Sequence, residues 1–252
     1  MRLILVALLL AVGLTGLAPT GLAAERAADP APRLRPADPA PRLRPADLKP
    51  DIVWRPIPYG RKRRSQMAAY SERHYGVRAW ELTDPAVIVE HYTDGTSWEG
   101  AWRHFASNAR HLGEKPGTCA HFLIDTDGTI RQLAGLGIRC RHVVGLNATS
   151  VGIEHVGTSS AQVLGNRRQM RASLELTVWL MARLHVVVGN VIGHGEALQS
   201  PLHHELYADW RCLVHADFRR PAMRTYRDRL RDALHAADVP LGDGPEWVRS
   251  RC

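Results

Sequence analysis

The segment SVGIEHV, residues 150–156, reads as a β-strand that carries both a glutamate and a histidine. Successive side chains of a strand point to opposite faces of the sheet, so Glu154 and His155 are predicted to lie on opposite sides. A second run, PAVIVE at residues 85–90, is rich in β-branched residues and predicts a short buried strand that leads directly to His91. Both strands therefore bring chemically active side chains to the sheet.

A hairpin and three helices surround these two strands in the sequence. The turn Thr126-Asp127-Gly128 separates CAHFLID from TIRQL, which is a hairpin signal. Helical periodicity marks residues 97–109, with Ser97 as the N-cap, residues 169–188, and residues 221–237, with a proline in the first turn. Because strands alternate with helices and a hairpin is also present, the predicted fold class is α/β, with a mixed central β-sheet flanked by helices.

The first 50 residues have the composition of a targeting segment followed by a linker. Residues 1–24 combine Arg2, a mostly apolar run and small residues, which is the pattern of a secretory signal peptide. The run is short for a membrane span of about 20 residues, although an uncleaved anchor is the alternative. In residues 25–50 the unit ADPAPRLRP occurs twice, and its prolines predict an extended linker without a core. The mature protein is therefore expected to be exported from the cytoplasm.

Composition excludes several classes of protein. A hydrophobic fraction of 45% and a charged fraction of 23% over 252 residues exclude a wholly disordered chain and a multi-span membrane protein. The net charge of +8 is partly carried by the linker, and the region after it shows neither zinc-finger cysteine spacing nor a clustered basic helix. Arg61–Arg64 is a local basic run that reads as the solvated start of a domain. The charge favours modest attraction to an acidic polymer over nucleic-acid binding.

The four cysteines, Cys119, Cys140, Cys212 and Cys252, allow three full pairings. Export implies an oxidising compartment, in which disulfides form and persist. Cys119 and Cys140 flank the predicted hairpin region, so the bond between them is favoured. Free buried thiols are the alternative.

Five polar side chains stand in or after strands, or in the loop before the last helix. His91 follows PAVIVE, His194 follows VIG, Glu154 lies in SVGIEHV, and His215 and Asp217 form an H-x-D pair. Zinc binds imidazole nitrogen and carboxylate oxygen, and its catalytic sites keep three protein ligands and one water. Residues at strand ends can converge in one cleft although they are distant in sequence. Spacing by itself leaves open that each histidine is a structural residue.

Five segments in this order resemble the zinc-dependent N-acetylmuramoyl-L-alanine amidases of the amidase-2 type, a superfamily that includes phage T7 lysozyme and the peptidoglycan recognition proteins. They are VIVEHYT (87–93), AHFLIDTDGTIRQL (120–133), RHVVGLNATSVGIEHVG (141–157), VIGHGEAL (191–198) and LVHADF (213–218). The resemblance covers residues 60–235 and depends on the order of all five segments, because one alone would be weak. It implies a single domain with a zinc cleft, expected at residues 51–240 and followed by a tail at 241–252.

The resemblance also implies a role for each matching residue. The expected zinc ligands are His91, His194 and Asp217, and the expected catalytic residues are Glu154 and His215. A structural salt bridge is the alternative for Glu154, and support of a ligand is the alternative for His215.

For other residues, a role in the site is weighed against a role in the fold. His121 and His142 are predicted to line the cleft and to bind substrate through its glycan, with local packing as the alternative. Trp98 and Trp102 are spaced i, i+4 on a helix, which favours the core over stacking on sugars. Asn147 begins an N-x-T sequon.

The resemblance, together with the targeting segment, implies a secreted zinc hydrolase, extracellular or associated with the cell wall, that cleaves the amide bond between N-acetylmuramic acid and L-alanine in peptidoglycan. Its expected cofactor is Zn²⁺, and its expected partner is peptidoglycan and not nucleic acid. It is expected to be a monomer with no membrane span after signal cleavage. A non-catalytic peptidoglycan-binding module on the same fold is the main alternative, and a basic protein that binds an anionic surface is the second. Because all three ligand positions carry competent residues, the enzyme is favoured.

Overall fold

The computed structural model describes residues 45–240 and the single residues 242, 244 and 252. These residues belong to the compact unit Pro41–Cys252, whereas the unit Met1–Ala40 lies outside them. No helix in the described part of the chain is long and apolar enough to cross a membrane.

The two ends of the chain carry expectations that stay predictions. The signal peptide at 1–24, residues 25–44 of the linker and most of the tail at 241–252 lie outside the described residues. The end of the linker is described and differs from the extended segment predicted, because Pro45–Leu48 forms a 3-10 helix and Leu48 packs against the main core. A proline-rich composition excludes a core within the segment, but it does not exclude packing of the segment's end against the neighbouring domain.

A six-stranded mixed β-sheet forms the centre of the domain. Its strands are β1 (Ile52–Trp54), β2 (Val87–Tyr92), β3 (Phe122–Ile124), β4 (Ile130–Gln132), β5 (Ser150–His155) and β6 (Val191–Gly193). In space they are ordered β1-β4-β3-β5-β2-β6. β3, β5, β2 and β6 run parallel to one another, and β4 is antiparallel to β3 as the predicted hairpin requires. The predicted mixed sheet is therefore confirmed.

In the described residues, five α-helices flank this sheet. They are α1 (Arg61–Tyr75), α2 (Trp98–Ser107), α3 (Ser160–Gly165), α4 (Arg167–Leu184) and α5 (Arg220–Ala236). Ser97 caps α2 by accepting a hydrogen bond from the backbone N–H of Gly100 at 3.1 Å, and Pro221 stands in the first turn of α5, as predicted. Leu176 of α4 and Leu230 of α5 are fully buried in the main core with residues of the central strands.

Alternation along β5 separates a core face of the sheet from a functional face. Val151 and Ile153 are fully buried in the main core beside α4 and α5. Ser150, Gly152 and Glu154 alternate with them and therefore lie on the opposite face. The chemistry predicted for Glu154 thus belongs to the face that α4 and α5 leave uncovered.

The strand predicted from PAVIVE begins and ends two residues later than expected. It is β2, Val87–Tyr92, so His91 lies inside the strand rather than after it. Pro85 has no backbone N–H to donate to a neighbouring strand, so the ladder starts beyond it. β2 pairs with β5 in parallel, and His91 stands opposite Glu154. His91 is therefore fixed by the sheet itself.

The prediction that Arg61–Arg64 is solvated is wrong for Arg63. The run forms the first turn of α1, and only 2% of Arg63 is exposed. Its guanidinium donates hydrogen bonds to the backbone carbonyls of Phe105 (2.7 Å), Gly117 (3.1 Å) and Thr118 (2.9 Å). These acceptors replace water around the buried cation. Since they lie far away in the sequence, a local run of basic residues cannot reveal them.

All four cysteines are paired. The favoured bond, Cys119–Cys140, is formed with its Cα atoms 5.3 Å apart, and Cys212 bonds Cys252 with a Cα separation of 5.5 Å. The alternative of free thiols is therefore wrong. The first disulfide lies in a second core cluster with Phe105 of α2, and the second holds the chain end to the loop that precedes α5.

Candidate metal centre

The carboxyl ends of three parallel strands bring distant residues together. His91 is the fifth residue of β2, Glu154 is the fifth residue of β5, and His194 follows β6 directly. The loop before α5 adds His215 and Asp217, and the backbone N–H of the residue after His194 donates to the Asp217 carbonyl at 2.7 Å. All five side chains line one cleft.

Three ligand atoms in this cleft form an almost equilateral triangle. His91 Nδ1 lies 3.1 Å from His194 Nδ1, and Asp217 Oδ2 lies 3.2 Å from each of these nitrogens. Zinc with ligand bonds of about 2.0–2.1 Å separates tetrahedral ligand atoms by about 3.3–3.4 Å. Two imidazoles and one carboxylate at this spacing fit a zinc ion. A set of three protein ligands also matches catalytic sites, in which water or substrate takes the fourth position.

The charges of these groups suit a cation. Burial acts to raise the pKa of Asp217, but hydrogen bonds to His194 and His91 hold it well below its usual range. Burial lowers the pKa of His194 to about 3, so this imidazole is neutral at pH 7. Burial also acts to lower the pKa of His91, but contacts with Asp217 and the charge of Glu154 raise it above its usual value. Negative charge beside His91 and His194 thus favours a positive partner at this point.

Glu154 faces the same cleft from β5. The residue is 8% exposed, and burial raises the pKa of its carboxyl group to about 7. Among the described residues, its Oε2 has no hydrogen-bond partner. The carboxyl group is therefore placed to exchange a proton with a molecule bound in the cleft.

His215 stacks on one of the candidate ligands. Its ring lies 3.5 Å from the ring of His194 between centroids, with an angle of 20° between the planes. Burial lowers the pKa of His215 to about 4, so the imidazole is neutral at pH 7. Its Nε2 is buried and finds no hydrogen-bond partner within the described part of the chain. A neutral ring with an uncommitted nitrogen suits a hydrogen-bonding role better than a cationic one.

Sequence comparison identifies the family. Residues 81–205 match the amidase-2 family, described as N-acetylmuramoyl-L-alanine amidase. Residues 81–205 therefore form an amidase-2 domain. The match includes His91, Glu154 and His194 and ends before His215 and Asp217. The last two residues are therefore assigned to the site by its geometry.

Several solved structures are similar to the amidase-2 domain. The N-acetylmuramoyl-L-alanine amidase LysC from Clostridium intestinale URNW is 22% identical, covering 58% of this chain and 83% of its own, with a TM-score of 0.41. AmiD from E. coli, solved with anhydro-N-acetylmuramic acid-L-Ala-D-gamma-Glu-L-Lys, is 22% identical over 44% of this chain and 49% of its own, with a TM-score of 0.37. An AmpD derivative is 18% identical over 57% of this chain and 80% of its own, with a TM-score of 0.41. No curated protein sequence matches the chain.

The cleft of the amidase-2 domain has a volume of about 630 Å³. Its walls are the loop 93–97 after β2, the first turns of α2, and the segment around His111 and Leu112. Trp98 and Trp102 pack partly buried against the second core cluster, and Trp102 Nε1 donates to a backbone carbonyl at 3.0 Å. Both tryptophans therefore lie at the edge of this cluster, and neither lines the cleft.

The two histidines that were predicted to bind substrate have different surroundings in the structure. His121 is fully buried and away from the cleft, because its Nε2 contacts the Ile138 carbonyl at 2.8 Å and its Nδ1 accepts from the Gly152 N–H at 3.0 Å. The packing alternative is therefore correct for His121. His142 does line the cleft, but its two ring nitrogens contact His91 at 3.0 Å and Ser150 at 3.2 Å. Glycan contact through these nitrogens is consequently blocked.

The sequence contains no recognisable signal for the structural roles of two residues at the cleft. Asn147 is fully buried, and its Oδ1 accepts from the backbone N–H groups of His142 (2.7 Å) and Val143 (2.8 Å), so the sequon is not accessible. Arg141 donates to the carbonyls of His111 (2.7 Å) and other residues of the same wall. The partners of both side chains are backbone groups, whose positions the sequence does not display.

Proposed function

We propose that the protein is a secreted, zinc-dependent N-acetylmuramoyl-L-alanine amidase that cleaves the amide bond between N-acetylmuramic acid and L-alanine in peptidoglycan. The observation that carries this proposal is the triangle of His91 Nδ1, His194 Nδ1 and Asp217 Oδ2, spaced 3.1–3.2 Å apart at the base of a cleft that Glu154 also faces. The amidase-2 assignment of residues 81–205 supports the choice of bond.

The chemistry of the site divides between a metal and the protein. A zinc ion held by His91, His194 and Asp217 supplies Lewis acidity, which lowers the pKa of water toward about 7 and polarises a carbonyl oxygen. Glu154 acts as the general base that takes a proton from the attacking water. The same carboxyl group then returns the proton to the amide nitrogen as it leaves.

His215 completes the polar lining. Its stacked position on His194 brings its ring to the edge of the metal centre, and a neutral imidazole N–H there can donate to the oxygen that becomes negative as the carbonyl is attacked. Donation of this kind needs a hydrogen but no positive charge, which agrees with the lowered pKa of His215.

Export is supported from two directions. The predicted signal peptide at residues 1–24 directs the chain out of the cytoplasm. The pairs Cys119–Cys140 and Cys212–Cys252 leave no free cysteine, as expected for a protein that works in an oxidising compartment. Peptidoglycan lies in that compartment.

The decisive experiment is digestion of purified peptidoglycan by the chain without residues 1–24, with and without a zinc chelator. We expect release of peptides with free L-alanine amino termini, loss of this release with chelator, and recovery on addition of zinc. Release of reducing sugar ends without new amino termini would contradict the proposal. Binding to peptidoglycan with no cleavage under any metal condition would favour the non-catalytic binding module.

A further inference from the structure

The functional face of β5 does more than carry Glu154. Ser150, Gly152 and Glu154 follow one another on this face, and the ring of His142 lies directly over the glycine. A Cβ atom at Gly152 would stand 2.7 Å from His142 Nδ1, which is closer than real Cβ atoms approach. The glycine thus makes room for the imidazole beside His91.

The hydrogen atoms along this face can be assigned one after another. Ser150 has a single hydroxyl hydrogen, which it donates to the Leu146 carbonyl at 2.8 Å. Its oxygen must therefore accept from His142 Nε2 at 3.2 Å, so this nitrogen carries the proton of the neutral ring. His142 Nδ1 is then an acceptor, and His91 Nε2, 3.0 Å away, must donate to it. In a neutral His91 the ring proton is therefore on Nε2, and only Nδ1 keeps a lone pair.

That lone pair is the one in the ligand triangle. His91 Nδ1 is the atom 3.1 Å from His194 Nδ1 and 3.2 Å from Asp217 Oδ2. The direction of the hydrogen-bond chain and the position of the triangle are independent observations, and both select the same tautomer. By contrast, His194 Nε2 has no hydrogen-bond partner in the described residues.

We propose that His142 and Ser150 are positioning residues that set the tautomer of His91, so that its Nδ1 is presented to the metal. This inference rests on the proposed zinc site, and it replaces the predicted glycan contact of His142 with a structural task in metal binding. Outer partners that orient a ligating histidine typically contribute about 10–100-fold to metal affinity.

The test is zinc affinity of the folded protein, measured by competition with a chelator of known affinity. His142→Phe keeps a ring of similar size but removes the acceptor, and we expect about 10–100-fold weaker zinc binding. His142→Asn keeps an oxygen acceptor close to the position of Nδ1, and we expect most of the affinity to return. Ser150→Ala should weaken binding by about 3–10-fold, because it acts through His142. His121→Phe removes another buried ring, whose hydrogen bonds go to backbone groups and not to a candidate ligand, and serves as the control.

A second measurement does not depend on any variant. Long-range proton–nitrogen correlation spectra of the zinc-loaded wild-type protein, labelled with ¹⁵N-histidine, should show His142 protonated at Nε2 and His91 bound through Nδ1. A His142 ring protonated at Nδ1, or His142→Phe with wild-type zinc affinity, would overturn the inference while leaving the zinc site intact. A wild-type protein that binds no zinc would instead overturn the proposed function.

Discussion

The candidate metal centre has a strand side, His91 and Glu154, and a loop side, His194, His215 and Asp217. On the strand side both residues belong to paired strands and stand opposite one another in the register. On the loop side the residues follow β6 or precede α5, and the side chains of His194 and Asp217 are more exposed, at 13% and 16%, than that of His91 at 2%. The chain thus builds one site by two methods, backbone pairing and tertiary contact.

On the loop side, tertiary contacts take the place of the backbone pairing that holds the strand side. Glu196, two residues after His194, forms a bidentate ion pair with Arg227 of α5 at 2.8 and 2.9 Å and accepts from the Gly193 N–H at 3.2 Å. The disulfide from Cys212 holds the loop at another point. The position of His194 therefore depends on side-chain contacts with α5, whereas that of His91 depends on the backbone pairing of β2 with β5.

The strongest test of the two sides is removal of a loop-side ligand. We expect His194→Ala to lose both zinc and amide hydrolysis, because two protein ligands hold zinc much more weakly than three. Metal content after desalting and release of L-alanine amino termini measure the two losses. Asp94→Asn, which removes a cleft carboxylate outside the triangle, is the control and should keep its zinc. Stoichiometric zinc in His194→Ala would remove this residue from the ligand set.

On the strand side, Glu154→Gln should separate metal binding from turnover. The amide keeps the shape of the side chain but cannot accept the proton from water, so kcat should fall by about 10²–10⁴-fold while zinc content stays constant. Steady-state hydrolysis of a defined muramyl peptide, together with zinc analysis, makes this comparison. Wild-type turnover in Glu154→Gln would exclude the residue as the general base.

The contrast between the two sides also explains what the sequence could predict. The alternation in SVGIEHV and the apolar run before His91 are local signals. The two strands, and the face of the sheet on which Glu154 lies, can therefore be predicted from the residue pattern. The H-x-D pair alone does not identify Asp217 as a ligand, so its predicted ligand role depends on resemblance to a family and its place in the site on the observed geometry. The task of His142 was missed because its acceptor, Ser150, is bonded in turn to the carbonyl of Leu146, and a backbone oxygen leaves no trace in residue type.

A smaller effect is expected from His215→Phe. Phenylalanine keeps an aromatic ring to stack on His194 but has no N–H, so loss of one donor to the developing oxyanion should lower kcat by about 10²–10³-fold with little change in KM. Zinc affinity distinguishes this role from the alternative of ligand support. A parallel fall in zinc affinity and in turnover would favour ligand support instead.

The smallest effect on turnover and the clearest effect on stability are expected from substitution of Arg227, through which α5 contacts the loop side. Arg227→Met leaves Glu196 buried without its bidentate partner, which should lower the free energy of unfolding by about 3–5 kcal/mol. Arg231→Met breaks the exposed pair with Asp228 on the same helix and should cost less than about 1 kcal/mol. Urea unfolding of both variants measures the difference. Because Arg227→Met retains the β2–β5 ladder and the side chains of His194 and Asp217, turnover per folded molecule should fall much less than in His194→Ala. Equal destabilisation by the two substitutions would show that the loop side does not depend on this contact.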